Sequence, residues 1–332
     1  MEQKVWIMED CMLDIERFEL FSDKFDFGEF SGLYGPGSSK RKEDGWVVTK
    51  ENIFGVFDAF SEPNSPDHPL LIKEGESLGE INVRTIEKSI TEESQGDSVS
   101  QTKQLSDIIE CANTSVWTVK NVVFSVPREI SRLAGASAAL VKPDEKLTET
   151  ITIGDCFLLV SFKNGKPYFS KNQVKKHDKM MHAEISRLKY QIAKEWKINP
   201  KKTSQSENKK INDEMWNRFR PFLEKARTEA INNPDLLSGY ASLNGDPNLV
   251  KMWRINNFNT EDIHKIILFS DGLIPWNLLK NMETNTLGKY IIEMEKRIGL
   301  MGIAQSTRSY EEASGFENYV SQHEITAMVL KF

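Results

Sequence analysis

The chain has 332 residues, enough for one large domain or two ordinary ones and too many for a disulfide-stapled miniprotein. Apolar residues at 39% and charged residues at 28%, with 19 Gly and 12 Pro, exclude collagen-like and globally disordered classes. Lysine and arginine number 43 against 49 acidic residues, and the resulting charge of -6 supplies neither a footprint for nucleic acid nor an anchor for an anionic membrane.

The opening Met1-Glu2-Gln3-Lys4 and the acid-studded stretch that follows lack the basic and apolar regions of a signal peptide. Apolar runs at 156–160 and 266–269 are too short to span a bilayer. Cys11, Cys111 and Cys156 are odd in number and without C-x-x-C spacing, so no disulfide framework or zinc knuckle is expected, and Cys111 and Cys156 read as small buried hydrophobes. The expected compartment is the reducing cytoplasm.

In chain order, the glycine-rich stretch 32–40 lacks the lysine of a phosphate loop and has no strong strand before it, so it reads as an irregular lead. It leads into a hairpin, with runs at 44–49 and 53–58 flanking Lys50-Glu51-Asn52. A loop centred on Glu51 sets Asp44 opposite Asp58 at the open end, with Glu43 adjacent, and carboxylates converging there repel unless a cation or strong donors compensate. Residues 92–103 read as an exposed loop, 106–118 and 128–138 as helices, and 148–170 as β-rich. Over 174–197 the residues Met180, Met181, Ile185, Leu188, Ile192 and Trp196 recur at helical spacing. After a polar stretch at 199–210, a second helix over 213–232 carries Met215, Phe219, Phe222, Leu223 and Ala226 and stops near Asn232-Asn233-Pro234. The strand 264–269 ends in Ser270-Asp271-Gly272, and a terminal strand 325–330 follows His323-Glu324. Paired antiparallel, they set Asp271 against His323 or Glu324. With no internal repeat, the expectation is one α+β domain over residues 1–332 with a helical insertion at 174–232.

The ordered blocks Lys40-Arg41-Lys42-Glu43-Asp44, Phe54-Gly55-Val56-Phe57-Asp58-Ala59, Gly135-Ala136-Ser137-Ala138, Ile153-Gly154-Asp155, Leu268-Phe269-Ser270-Asp271-Gly272 and Glu324-Ile325-Thr326-Ala327-Met328-Val329 resemble the metal-dependent type 2C serine/threonine protein phosphatases. Each block is weak alone and the order is specific. The stretch 232–247, with Gly239-Tyr240 and Asn244-Gly245-Asp246-Pro247, is similar to one in bacterial relatives.

The resemblance implies two stacked antiparallel sheets flanked by helices, an α-β-β-α sandwich, with two Mn²⁺ or Mg²⁺ ions at one end activating a water for in-line attack on phosphoserine or phosphothreonine. It implies that Asp58 bridges the metals, that Ala59 offers a backbone carbonyl and that Asp271 is a ligand. Glu43 and Asp44 hold metal-bound water or a metal, and Asp155 assists an additional ion. Lys40, with Arg41, faces the phosphate. The partners implied are a phosphorylated protein substrate and a cognate kinase. The helical insertion at 174–232 is where a substrate flap or partner surface is expected, the sequence itself supporting its helicity alone.

Several positions depart from the family. Asp58-Ala59-Phe60-Ser61-Glu62 replaces a glycine-rich turn, so backbone there is expected to be strained or rebuilt. His323 and Glu324 stand where the family has an Asp ligand and Asn or Asp, which favours manganese or weakens one site. Lys40 gives up the bidentate grip of Arg, and Phe60 has no proton to give. These departures motivate the alternative, a catalytically weak or inactive relative acting as a phosphoprotein-binding or regulatory module. Either Asp44 or Asp58 alone is accounted for as a turn former; with Glu43 and Asp271 in ordered motifs the set points to metal binding. His68, His177, His182 and His264 have no partner at a metal spacing, and no H-E-x-x-H is present.

Overall fold

A computed structural model describes residues 6–7, 29–35, 42–61, 76–95, 103–199, 203–275, 278–279, 282–313 and 324–332. The hairpin forms as its sequence dictates: β3 (Asp44–Val48) and β4 (Phe54–Phe60) pair antiparallel. Asn52 takes the left-handed turn at φ 60°, a conformation that asparagine tolerates better than most residues. Three strands extend this sheet: β5 (Gly135–Pro143), β6 (Leu147–Ile153) and β9 (Arg254–Asn259), in the order β3-β4-β5-β6-β9. The second sheet runs β1-β2-β11-β10-β7-β8, from β1 (Trp6–Ile7), β2 (Glu29–Gly35), β7 (Phe157–Phe162), β8 (Pro167–Phe169), β10 (Ile263–Phe269) and β11 (Ile325–Lys331). Among these strands every pairing is antiparallel except β1 with β2.

Period-two alternation sorts the side chains into three layers. Phe54 and Val56 of β4 meet Leu158 of β7, Ile266 and Leu268 of β10, and Met328 and Leu330 of β11 between the sheets. Each such side chain fully buried contributes about 1.5–3 kcal/mol, and a one-residue slip would turn a whole strand's set outward, so the pattern fixes the register. The opposite face of β4, Phe57 and Ala59, packs under α1 (Leu78–Ser94) and α2 (Leu105–Thr118). The outer face of the second sheet, with Ile267 and Phe269, packs under α6 (Thr284–Ala313), which is broken at Gly299. The α-β-β-α sandwich is therefore present. A π-helical turn (Val119–Val123) and α3 (Arg128–Ser131) lead from α2 into β5. Between β8 and β9, α4 (Lys175–Glu195) and α5 (Gln205–Ala230) pack together through Met181, Leu188, Ile192, Met215, Phe219 and Leu223. Among the described residues no helix is long and apolar enough to cross a membrane.

Several sequence expectations are corrected. Residues 128–138 are helical only to Ser131, because Gly135 onward pairs with β4. The polar stretch 199–210 contains the start of α5, closed by a capping box between Ser204 and Glu207. Residues 32–35 belong to β2 rather than to an irregular lead. Met180 and Trp196 are exposed although their neighbours on α4 are buried, and Cys111 is exposed while Cys156 is buried.

Candidate functional site

At one end of the sandwich the inner-face alternation changes from apolar to acidic and hydroxylic. On β3 the partly buried Trp46 and Val48 continue to Asp44; on β4, Phe54 and Val56 continue to Asp58. On β5, Ala139 and Val141 lead back to Ser137; beyond β10, Ile266 and Leu268 lead to Ser270; on β11, Met328 and Leu330 lead back to Thr326 and then Glu324. Asp44 and Asp58 are direct partners in the β3–β4 register, as the hairpin arithmetic requires. Antiparallel β10 and β11 continue through Ser270, whose N–H donates to the Thr326 carbonyl (2.9 Å) and whose Oγ accepts from the Thr326 N–H (3.0 Å). This brings Asp271, at the start of a 3₁₀ turn (Asp271–Leu273), to the same end as Glu324.

The carboxylates act on one another. Burial, then the charges of Asp44, Asp271, Asp155 and Glu324, push Asp58 well above the usual carboxylate range. Asp44 is raised by burial and by Glu324, while the hydroxyls of Ser270 and Thr326 act in the opposite direction. Its Oδ2 is buried with no hydrogen-bond partner. Glu324 is pushed up to about 7, chiefly by burial; it accepts from the Asp44 backbone N–H and from the Tyr34 hydroxyl at 3.1 Å. The Asp155 carboxylate accepts from Ser137 Oγ at 2.5 Å. Gly154 makes that turn possible: its φ is +70°, and a Cβ there would stand 2.1 Å from Ser137 Oγ.

Glu43 is placed differently. It accepts from Ser77 Oγ at 2.7 Å and from Ser61 Oγ, beside the start of α1, so it braces the helix against the end of β4. The Ala59 N–H donates to the Glu43 carbonyl at 3.0 Å. The glycine-poor stretch after Asp58 is rebuilt rather than strained. β4 runs on to Phe60, which pairs with Gly135, and neither Ala59, Phe60 nor Ser61 has a positive φ. Lys40, Arg41 and His323 lie outside the described residues.

Sequence reasoning missed Ser137, Ser270 and Thr326, which the period-two parity of their strands marks as inner-face positions. It also missed Asp178 and Arg227, on α4 and α5, for which no local signal exists. Asp178 is raised to about 8 by burial and by the charges of Asp155 and Asp271, with Arg227 acting against them.

The donor set is made of hard oxygens, and Asp44 Oδ2 is buried without a hydrogen-bond partner, a cost that a cation or a proton would offset, so the residues suit Mg²⁺ or Mn²⁺ in chemistry. Among the described residues no three His, Cys, Asp or Glu side chains stand in ligating geometry. No protein-family model matches the chain, and no curated protein matches it. Among solved structures, the serine/threonine phosphatase Stp1 from Staphylococcus aureus is similar over 94% of this chain and 97% of its own, at 12% identity and a TM-score of 0.48. The serine/threonine phosphatase PstP/Ppp from Mycobacterium tuberculosis is similar over 91% and 97%, at 12% identity and a TM-score of 0.44. A catalytic domain of PstP in complex with two manganese ions is similar over 91% and 96%, at 11% identity and a TM-score of 0.45.

Proposed function

We propose that the protein is a divalent-metal-dependent phosphoprotein phosphatase that hydrolyses phosphoserine and phosphothreonine with water as the nucleophile. The supporting observation is the convergence of Asp44, Asp58, Asp155, Asp271 and Glu324 at one end of the sandwich, with a buried carboxylate oxygen left unpaired. Burying so much like charge is costly without a cation, and a fold has little structural reason to gather it. Bound Mn²⁺ or Mg²⁺, two ions by resemblance, would supply Lewis acidity that lowers the pKa of water and offsets charge on the phosphoryl group.

In this reading Asp58 holds the centre, with Asp44 and the Ala59 carbonyl beside it on the first sheet and Asp271 reaching in from the second. Ser137 orients Asp155 toward an additional ion. Glu324, held between the Asp44 N–H and the Tyr34 hydroxyl, positions β11 against β3 and exchanges a proton near neutrality. Lys40 and Arg41 bind phosphate and His323 adds a ligand, both by resemblance only. The partner is then a phosphorylated protein in the cytoplasm, opposed by a cognate kinase.

Hydrolysis of a phosphothreonine peptide and of an aryl phosphate with Mn²⁺, Mg²⁺ or chelator tests the proposal. Metal-dependent turnover should fall by roughly three orders of magnitude or more in both Asp58→Asn and Asp271→Asn. Turnover that survives in either variant, or in chelator, would overturn it. The second reading, a weak or inactive phosphoprotein-binding relative, draws on the engagement of Glu43 by Ser61 and Ser77 and of Glu324 by Asp44 and Tyr34. Phosphopeptide binding by a parent protein that shows no turnover would favour it.

A further inference from the structure

The helical insertion delivers a cation to the acidic end of the sandwich. Arg227, near the end of α5, donates from Nη1 to the Ser61 carbonyl at 2.8 Å and lays its guanidinium 4.9 Å above the Phe60 ring. Phe60 and Ser61 are two and three residues beyond Asp58, on the extension of β4 that replaces a turn. The charge of Arg227 is felt by His177, Asp178 and Tyr240, and Asp178 in turn feels Asp155 and Asp271. The His177 and Tyr240 rings meet at a tilt, with centroids 4.9 Å apart.

Among the described residues no carboxylate stands within ion-pair distance of Arg227, although acidic groups crowd this end of the molecule. A guanidinium has five N–H donors, and a single bond to a carbonyl uses one of them. The carbonyl and the ring fix its plane, so little entropy is lost when an anion takes the remaining donors. A phosphate dianion approaching a cluster of carboxylates is repelled, and a fixed fork at the rim is the group that offsets this.

We infer that Arg227 binds the phosphoryl oxygens of the substrate, so that the helical insertion supplies the cationic wall of the site. The inference rests on the phosphatase reading. The alternative is a strut, in which Arg227 only fastens α5 to β4, and the two differ in what phosphate itself reports.

The experiment compares the full chain with Arg227→Gln and Arg227→Lys, all with Mn²⁺ present. It measures KM and kcat on a phosphothreonine peptide, the inhibition constant of inorganic phosphate, and the Tm gained on adding Mn²⁺. We expect Arg227→Gln to raise KM and the phosphate inhibition constant roughly tenfold or more, and Arg227→Lys by less, with kcat less affected and the Mn²⁺ response unchanged. Unchanged phosphate inhibition in both variants overturns the inference, as does weakened inhibition accompanied by an equal loss of the Mn²⁺ response. If Arg227→Gln does not fold, Arg227→Lys decides, because it keeps the charge and loses the fork. If the parent hydrolyses nothing, a phosphate-dependent rise in the Tm of the Mn²⁺-loaded parent that is lost in Arg227→Gln retains the assignment while the hydrolase reading fails. No such rise in the parent overturns the assignment.

Discussion

Asp58 sits among four other carboxylates, whose charges add to its own burial in raising it. The consequence is a pH dependence of definite sign. Glu324 titrates near 7 in the folded protein against an ordinary value of 4.5, and Asp44 and Asp58 are raised as well. Between those values the folded state binds more protons than the unfolded one, so stability is fully present below the ordinary carboxylate range and falls as pH rises through about 7. Lys120 acts oppositely above that point. Buried and bonded to the Ser131 and Ala134 carbonyls, it is lowered to about 7, so its contribution recovers as pH rises further. The metal-free protein should therefore lose Tm between about pH 5 and pH 7. Asp58→Asn, which removes the central charge, should raise the metal-free Tm by a few degrees at about pH 8, on the order of 1–2 kcal/mol, and by less at about pH 5. Thermal unfolding in chelator at the two pH values checks this; an equal or opposite shift would show that the carboxylates are not repelling one another.

At the scale of elements, Asn232 ties the end of α5 to the stretch that leads on to β9. Its backbone is left-handed at φ 52°, and its side chain donates to the Ser242 carbonyl and Asn244 Oδ1 and accepts from the Ser242 N–H, each at 2.8 Å. Asn232→Ala removes three buried hydrogen bonds and leaves alanine in a conformation that it resists, so it should cost about 2–4 kcal/mol by urea unfolding. A cost below about 1 kcal/mol would mean that the loop repacks. How much of this was legible in sequence follows from where each signal resides. The Asp44–Asp58 register needed only a short turn and two alternating runs, and β10 and β11 announced themselves by apolar runs bordered by acid, Asp271 after the first and Glu324 before the second. The helix over 78–94 was not anticipated, although Ser77 and Glu80 form a capping box that sequence can show. β5 was hidden because its small residues Gly135, Ala136, Ser137 and Ala138 suit a helix as well as a strand; only their pairing with β4 decides. Asp178 and Arg227 could not be assigned, since helical periodicity tells which face of α4 or α5 is apolar but not what the polar face meets.

The whole molecule places its acidic end across the joint between two sheets. Asp44 and Asp58 belong to the first sheet, Asp271 follows β10 and Glu324 precedes β11 of the second, and Asp155 lies in the turn that passes from β6 to β7. The apolar core between the sheets ends there, and the Asp44 N–H bonded to Glu324 is a link across the layers. A divalent ion coordinated by both sheets would act as a cross-link at the place where like charges otherwise push the layers apart. It binds only the folded state, so stability must rise with its concentration, and protons must compete with it because the same oxygens are protonated in its absence. Adding Mn²⁺ should raise Tm more at about pH 8 than at about pH 6. Hydrogen exchange should slow most at the amides around Asp44, Asp58, Ser270 and Thr326, while the far ends of the same strands, around Val48 and Lys265, change little. Protection spread evenly along the strands would indicate general stabilisation from an ion bound elsewhere. No protection at all would mean that the carboxylates meet their charge with protons alone, and the metal-dependent reading would fall with it.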